Sequence, residues 1–230
     1  MKNKRLGLVI FKIKFFLSRT ISSFLKKKIK KNTDFEQFKD LIKNKNFSTH
    51  WFLNNYSIIG NFLPKDLNKK FDYLEIGSFE GLSSLFILSN WKNANVTCVD
   101  TWVTNKDESQ FLDFNFNDVE KRFDLNLKSF SFKKIKSTSV EAFKKIGEKS
   151  NFDYIYIDGS HNGEDIYNDA LASFKILNVG GLIIFDDITN IYKEIETQPH
   201  NAFEKFYYMH KKKIKILYLK NIAIVKKINF

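Results

Sequence analysis

Five carboxylates and one imidazole in this chain stand where short apolar runs end: Glu75, Asp100, Asp158, Asp186, Asp187 and His161. The richest of these stretches is Phe71-Asp72-Tyr73-Leu74-Glu75-Ile76-Gly77-Ser78-Phe79-Glu80-Gly81-Leu82-Ser83-Ser84, which reads as a buried strand, a glycine turn and a helix start. Gly77 and Gly81 would let the backbone turn tightly and approach a ligand. A phosphate cradle would present bare N–H groups and a Lys here, whereas Glu75 would repel a phosphate, so the corner suits a cationic or polar ligand. It is not a dinucleotide fingerprint, because Phe79 stands where the second glycine of Gly-x-Gly-x-x-Gly belongs. Val96-Thr97-Cys98-Val99-Asp100-Thr101-Trp102 is a second strand ending in an acid. A carboxylate at that tip could accept both hydroxyls of a ribose, and Trp102 could pack against the adenine.

Phe152-Asp153-Tyr154-Ile155-Tyr156-Ile157-Asp158-Gly159-Ser160-His161 and Gly180-Gly181-Leu182-Ile183-Ile184-Phe185-Asp186-Asp187 form two further strand-to-loop junctions. Ligands of an open parallel sheet bind at the carboxyl ends of its strands, so Asp158, His161, Asp186 and Asp187 should converge. Carboxylates hold hard divalent ions, and Mg²⁺ suits an all-oxygen set that keeps several waters. Such an ion lowers the pKa of a bound hydroxyl, and His161 would then need only to accept a proton near neutral pH. The simpler accounts are that Asp187 caps the following segment, Asp158 orders its own Gly-Ser loop, His161 is a loop or cap histidine and Trp102 a partly buried loop aromatic.

Together, Glu-Ile-Gly-Ser-x-x-Gly, Val-Asp-Thr-Trp, Tyr-Ile-Asp-Gly-Ser-His and Gly-Gly-x-Ile-x-Phe-Asp-Asp resemble class I S-adenosylmethionine (SAM) dependent methyltransferases, in particular the small family of macrocin-type sugar O-methyltransferases related to catechol O-methyltransferases. The resemblance covers roughly residues 70 to 190. It implies that Glu75 serves the methionine end of SAM and that Gly77, Ser78 and Gly81 allow close approach. Asp100 and Trp102 would hold the ribose and adenine, and Ser139 would touch adenine. It also implies Mg²⁺ bound by Asp158, Asp186 and Asp187, with His161 and Asp158 catalytic. Ser139 has the competing reading of a helix N-cap. The expected activity is O-methylation of a sugar or other small polar acceptor. The competing hypothesis is a non-catalytic membrane- or partner-binding adaptor that keeps the fold.

The elements that must position these residues read as α/β. Strands are expected near 72–76, 95–100, 130–135, 152–157, 181–186, 214–219 and 222–227, with helical stretches between most of them. Lys220-Asn221 separates the last two as a tight turn, giving a C-terminal antiparallel hairpin. Periodicity supports no more than α/β; a Rossmann-like sheet of seven strands is what the resemblance implies. Residues 34–63 look helical, and His50, Trp51, Phe52 and Tyr56 are a candidate lid or substrate wall. Residues 104–128, rich in Asn, Asp and Phe, read as an insert near the site. The 230 residues, 43% hydrophobic and 16% aromatic, suit one sizeable core, so 32–230 is read as a single catalytic domain. The one cysteine, Cys98, excludes an internal disulfide and fits a reducing, cytoplasmic setting.

Residues 1–31 carry eleven Lys or Arg and no acid, so of the formal +12 only +1 belongs to 32–230. The basic character therefore sits in an N-terminal helical arm. Leu6, Ile10, Ile13, Leu17, Ile21 and Phe24 make one apolar stripe, with Lys12, Arg19, Lys26 and Lys30 opposite, while Leu8, Phe11 and Phe15 spoil the polar face. Such an arm is expected to lie on an anionic membrane surface, peripheral to the inner face; the alternative is packing on the domain or a partner. Lys12, Lys14 and Arg19 interrupt the apolar run short of the ~20 residues needed to span. The short charge-free core disfavours a signal peptide, and the near-neutral remainder disfavours nucleic acid.

Overall fold

The computed structural model describes residues 2–16, 36–103, 118–192 and 195–229. Its strands form one mixed seven-stranded sheet in the order β3-β2-β1-β4-β5-β7-β6, where β1 is Phe71–Ile76, β2 Ala94–Asp100, β3 Lys133–Lys136, β4 Phe152–Ile157, β5 Leu177–Phe185, β6 Ile214–Leu219 and β7 Ala223–Lys227. The α/β class, the seven strands and the final antiparallel hairpin are those expected from the sequence. Chain contacts divide the molecule into two compact units, residues 30–142 and residues 1–29 with 143–230.

In the first unit β1, β2 and β3 are parallel, with Phe71 opposite Ala94 and Asp100 opposite Lys136. The helices are α2 (Glu36–Ile42), α3 (Tyr56–Phe62), α4 (Leu82–Asn90), α5 (Val119–Leu127) and α6 (Ser139–Ile146), with a 3₁₀ turn over Trp51–Asn54. Helix α4 is buried from Leu82 to Leu88, as its near-continuous apolar sequence requires. Phe86 is the centre of an aromatic cluster, with Phe38, Phe52, Tyr56 and Trp91 within 5.1–5.9 Å of its ring. The stretch expected to be helical over 34–63 is thus several short pieces, and their aromatic residues Phe52 and Tyr56 serve the core. Of the expected insert, 118–128 is described and is mostly helix α5; 104–117 lies outside the described residues.

In the second unit β4 and β5 are parallel, while β7 is antiparallel to both β5 and β6. Helices α7 (Gly163–Ile176) and α8 (Pro199–His210) pack on each other. The buried Lys227 ammonium donates to the carbonyls of Phe174 and Leu177 at 2.9 and 2.8 Å, which satisfies the end of α7. Helix α1 (Lys2–Phe16) packs on α8. Leu8 and Phe11 are buried, Phe11 lying edge-on to Phe203 at 6.1 Å and tilted against His200 at 5.7 Å. Leu8 and Phe11, which spoil a simple helical wheel, are therefore the ones that pack, and Leu6, Ile10 and Ile13 of the expected stripe face outward. Leu17, Ile21 and Phe24 fall outside the described residues.

Candidate active site

The glycine corner is built by backbone that few residue types can adopt. Gly77 and Gly81 have φ of 89° and 83°, and a Cβ on Gly81 would meet Leu127 and Phe123 at 3.0 Å. Phe79, between them, takes φ 45° without being glycine, and Trp102 after β2 and Asp187 after β5 do the same at 49° and 50°. Strained backbone of this kind collects at functional sites. Asp100 holds two of these three positions, its Oδ2 accepting from the Phe79 N–H at 2.8 Å and its Oδ1 from the Trp102 N–H at 2.7 Å. Burial raises the Asp100 pKa, while those two N–H groups favour its charged form.

Glu75 is fully buried, and the hydroxyls of Ser83 and Ser84 donate to its two oxygens, the latter at 2.9 Å. Burial pushes its pKa up to about 8, against the Ser83 and Ser84 hydrogen bonds and with help from Asp100. Ser78 Oγ is buried beside the Cys98 thiol, which donates to Ser84 Oγ at 3.3 Å. The Trp102 ring is buried against Phe123 at 4.7 Å, its Nε1 donates to the Phe79 carbonyl at 2.8 Å, and Lys134 Nζ lies 4.5 Å from its centroid. That is the packing of a core aromatic. The exposed Trp51 instead stacks on Phe79 at 6.3 Å. Ser139 opens helix α6, but the capping hydroxyl is that of Thr138, which accepts from the Glu141 N–H at 3.3 Å.

At the carboxyl ends of β4 and β5 the expected acids separate into a pair and a single. Asp158 and Asp186 both reach the Tyr156 hydroxyl, Asp158 at 3.2 Å. The Asp187 carboxylate is engaged elsewhere: Asn221 Nδ2 donates to its Oδ1 at 3.1 Å and the Tyr192 hydroxyl to its Oδ2 at 3.3 Å. Among the described residues no three acidic, Cys or His side chains converge as a metal cage. The Asp158 and Asp186 carboxylates, joined by Tyr156, are oxygen donors that fit a divalent ion, while the Asp187 carboxylate is occupied by its own two partners. The His161 ring stacks face to face on Tyr192, 4.6 Å between centroids and 9° between planes. Burial lowers its pKa and the Asp187 charge opposes that.

A family described as Methyltransferase domain matches residues 74–188. The chain belongs to this family. The methyltransferase-domain chain is also 32% identical over 159 residues to a Dictyostelium discoideum protein named "Probable caffeoyl-CoA O-methyltransferase 3", covering 65% of the chain and 58% of that protein. It spans only about half the length of the curated relatives it matches. Among solved structures, MycE from the mycinamycin biosynthetic pathway, in complex with Mg, SAH and mycinamycin VI, superposes with a TM-score of 0.56 at 18% identity, over 84% of this chain and 54% of that one. The O-methyltransferase TomG from Streptomyces achromogenes, in complex with SAM, gives 0.53 at 10% identity, over 92% and 96%. These two likenesses establish the fold.

Four side chains of the methyltransferase-domain chain that sequence reasoning passed over support the acids and the imidazole. Tyr156 and Asn221 hold Asp158, Asp186 and Asp187, as above. Tyr192 carries the His161 stack, and the buried Gln198 fixes Tyr192 by bonding both its backbone N–H, at 2.9 Å, and its carbonyl, at 3.0 Å. Lys4 of α1 also donates to the Tyr192 carbonyl, at 3.5 Å, and to that of Ile195. Only the Asp-Asp pair beside a Tyr-containing strand could have hinted at any of these. In the other unit the missed group is Glu80, buried, accepting from Ser48 N–H and Oγ at 2.6 and 2.7 Å and from Arg122.

Proposed function

We propose that residues 32–230 act as one SAM-dependent O-methyltransferase domain whose acceptor is a hydroxyl of a sugar or other small polar molecule, with a divalent ion assisting. The observation that carries this reading is the His161 ring stacked on Tyr192, whose hydroxyl bonds Asp187, together with the Asp158 and Asp186 carboxylates on Tyr156 at the ends of β4 and β5, in a chain of the methyltransferase-domain family. In the reaction the acceptor oxygen forms a bond to the SAM methyl carbon as the carbon–sulfur bond breaks, leaving S-adenosylhomocysteine. The hydroxyl proton goes to the His161 ring nitrogen. Tyr192 holds that ring in place by stacking, so orientation supplies much of the rate. Asp100 accepts from the ribose hydroxyls while its backbone bonds keep Phe79 and Trp102 in their turns. Glu75 serves the methionine end of SAM. Asp158 and Asp186 would hold Mg²⁺, with Asp187 as a third candidate; when bound, the ion supplies charge that favours the ionised acceptor. Residues 1–31 would bring the domain to an anionic cytoplasmic membrane face. Among the described residues no helix is long and apolar enough to cross a membrane.

Calorimetry with SAM, followed by S-adenosylhomocysteine release across a panel of sugars and phenols with and without EDTA, tests the reading. Wild type should bind SAM, and Asp100→Asn should bind it weaker by about 1.5–3 kcal/mol, the range for a lost hydrogen bond to a charged group. EDTA and His161→Ala should each abolish turnover and leave SAM affinity nearly unchanged. Absence of SAM binding would leave the adaptor hypothesis in its place.

A further inference from the structure

Helix α1 has two apolar faces, and among the described residues only one of them is packed. The inner face carries Leu8 and Phe11 against α8, with Gly7 close enough that a Cβ would meet His200 Nε2 at 3.3 Å. On the outer face Leu6, Val9, Ile10 and Ile13 are 57%, 50%, 44% and 51% exposed. At 3.6 residues per turn these four fall within an arc of about 100°, the width of an amphipathic stripe. Arg5 and Lys12 are exposed beside them, and residues 1–31 contain no carboxylate to neutralise their charge. A partner for this face must accept aliphatic side chains and positive charge together.

We propose that the outer stripe of α1 is a docking surface for an anionic lipid bilayer, and that α1 docks without leaving α8. This rests on the reading of residues 1–31 as a membrane-attaching segment and adds which face enters the lipid. The alternative mode, in which the arm peels away and inserts every apolar residue, would uncover Phe203 and His200 and break the bonds from Lys4 to the Tyr192 and Ile195 carbonyls. Docking by the outer stripe keeps all of these. Aliphatic side chains enter the headgroup boundary while Arg5 and Lys12 meet anionic headgroups, so binding combines apolar burial with salt-sensitive attraction.

The test uses the full chain with vesicles of phosphatidylcholine and phosphatidylserine, and with phosphatidylcholine alone. Wild type should co-sediment with the mixed vesicles at low salt and be released as salt rises. The triple variant Leu6→Gln/Ile10→Gln/Ile13→Gln should bind at least about tenfold weaker, since binding scales with buried apolar area, while keeping the wild-type melting temperature and SAM affinity. If wild type binds and the triple variant binds equally well, the stripe does not enter the lipid and this inference is overturned with membrane attachment intact. If wild type binds no anionic vesicle, attachment itself is wrong. A lowered melting temperature in the triple variant, or a wild-type dimer that it converts to monomer, would mean that protein covers the stripe and would also overturn the inference.

Discussion

Glu75 ionises near 4.5 in an exposed setting, but burial in the folded chain holds its pKa at about 8. Below the lower value both states are protonated and the residue is neutral toward stability. Between the two the unfolded chain gives up its proton and the folded chain keeps it, so stability falls as pH rises, and above about 8 the penalty is complete. At 1.36 kcal/mol per unit the cost at pH 7 is on the order of 3 kcal/mol. Glu75→Gln should therefore flatten the decline of urea-unfolding stability between pH 5 and pH 8; an unchanged slope would mean that the carboxylate stays charged when folded. The acids at the strand tips were legible because each follows an apolar run of strand length. Their partners were not: Tyr156 and Tyr192 read as ordinary strand and loop aromatics, and Asn221 meets Asp187 across 34 residues of chain. Trp102 was visible as a strand-end aromatic, but no local pattern shows that Phe123 and Lys134 occupy its ring.

Helix α7 starts one residue after Asn162, whose side chain accepts from the Glu164 N–H at 2.9 Å, and its first residue is wedged against the segment that carries Tyr192. Gly163 donates to the Thr197 carbonyl at 2.7 Å, and a Cβ there would lie 2.6 Å from that same oxygen. Alanine is the better helix former by up to about 1 kcal/mol. The clash is with backbone, which cannot swing aside as a side-chain tip can, so it outweighs propensity. Gly163→Ala should lower stability by about 1–3 kcal/mol in denaturant titration; a variant more stable than wild type would show that the Thr197 backbone gives way. At this scale β1, β2, β4, β6 and β7 were readable to within a residue, because each is a short apolar or β-branched run between turn residues. β3 was less so: Lys133-Lys134-Ile135-Lys136 has one buried residue, and its place is set by pairing with β2. β5 begins four residues before the expected 181, through Gly180, which a local reading treats as a turn.

For the molecule as a whole, the division of charge was plain in the sequence but the role of the basic segment was not. A helical wheel finds the stripe of Leu6, Ile10 and Ile13 and has no means of knowing that α8 lies on the other side. Phe11 is fully buried there, so Phe11→Ala should cost about 3–5 kcal/mol. That loss should appear mainly as faster unfolding, with the refolding rate little changed, because contacts between distant parts of the chain tend to form late. A refolding arm slowed by the full amount would place α1 in the nucleus. The separation of Lys4 from Tyr192 is 188 residues. Translation at ~5–20 residues per second would therefore leave Leu8 and Phe11 without α8 for roughly 10–40 s after they are made. Throughout that interval the nascent chain carries both apolar faces of α1 uncovered, and a chaperone or a membrane near the ribosome can reach the inner face before the protein's own helix exists.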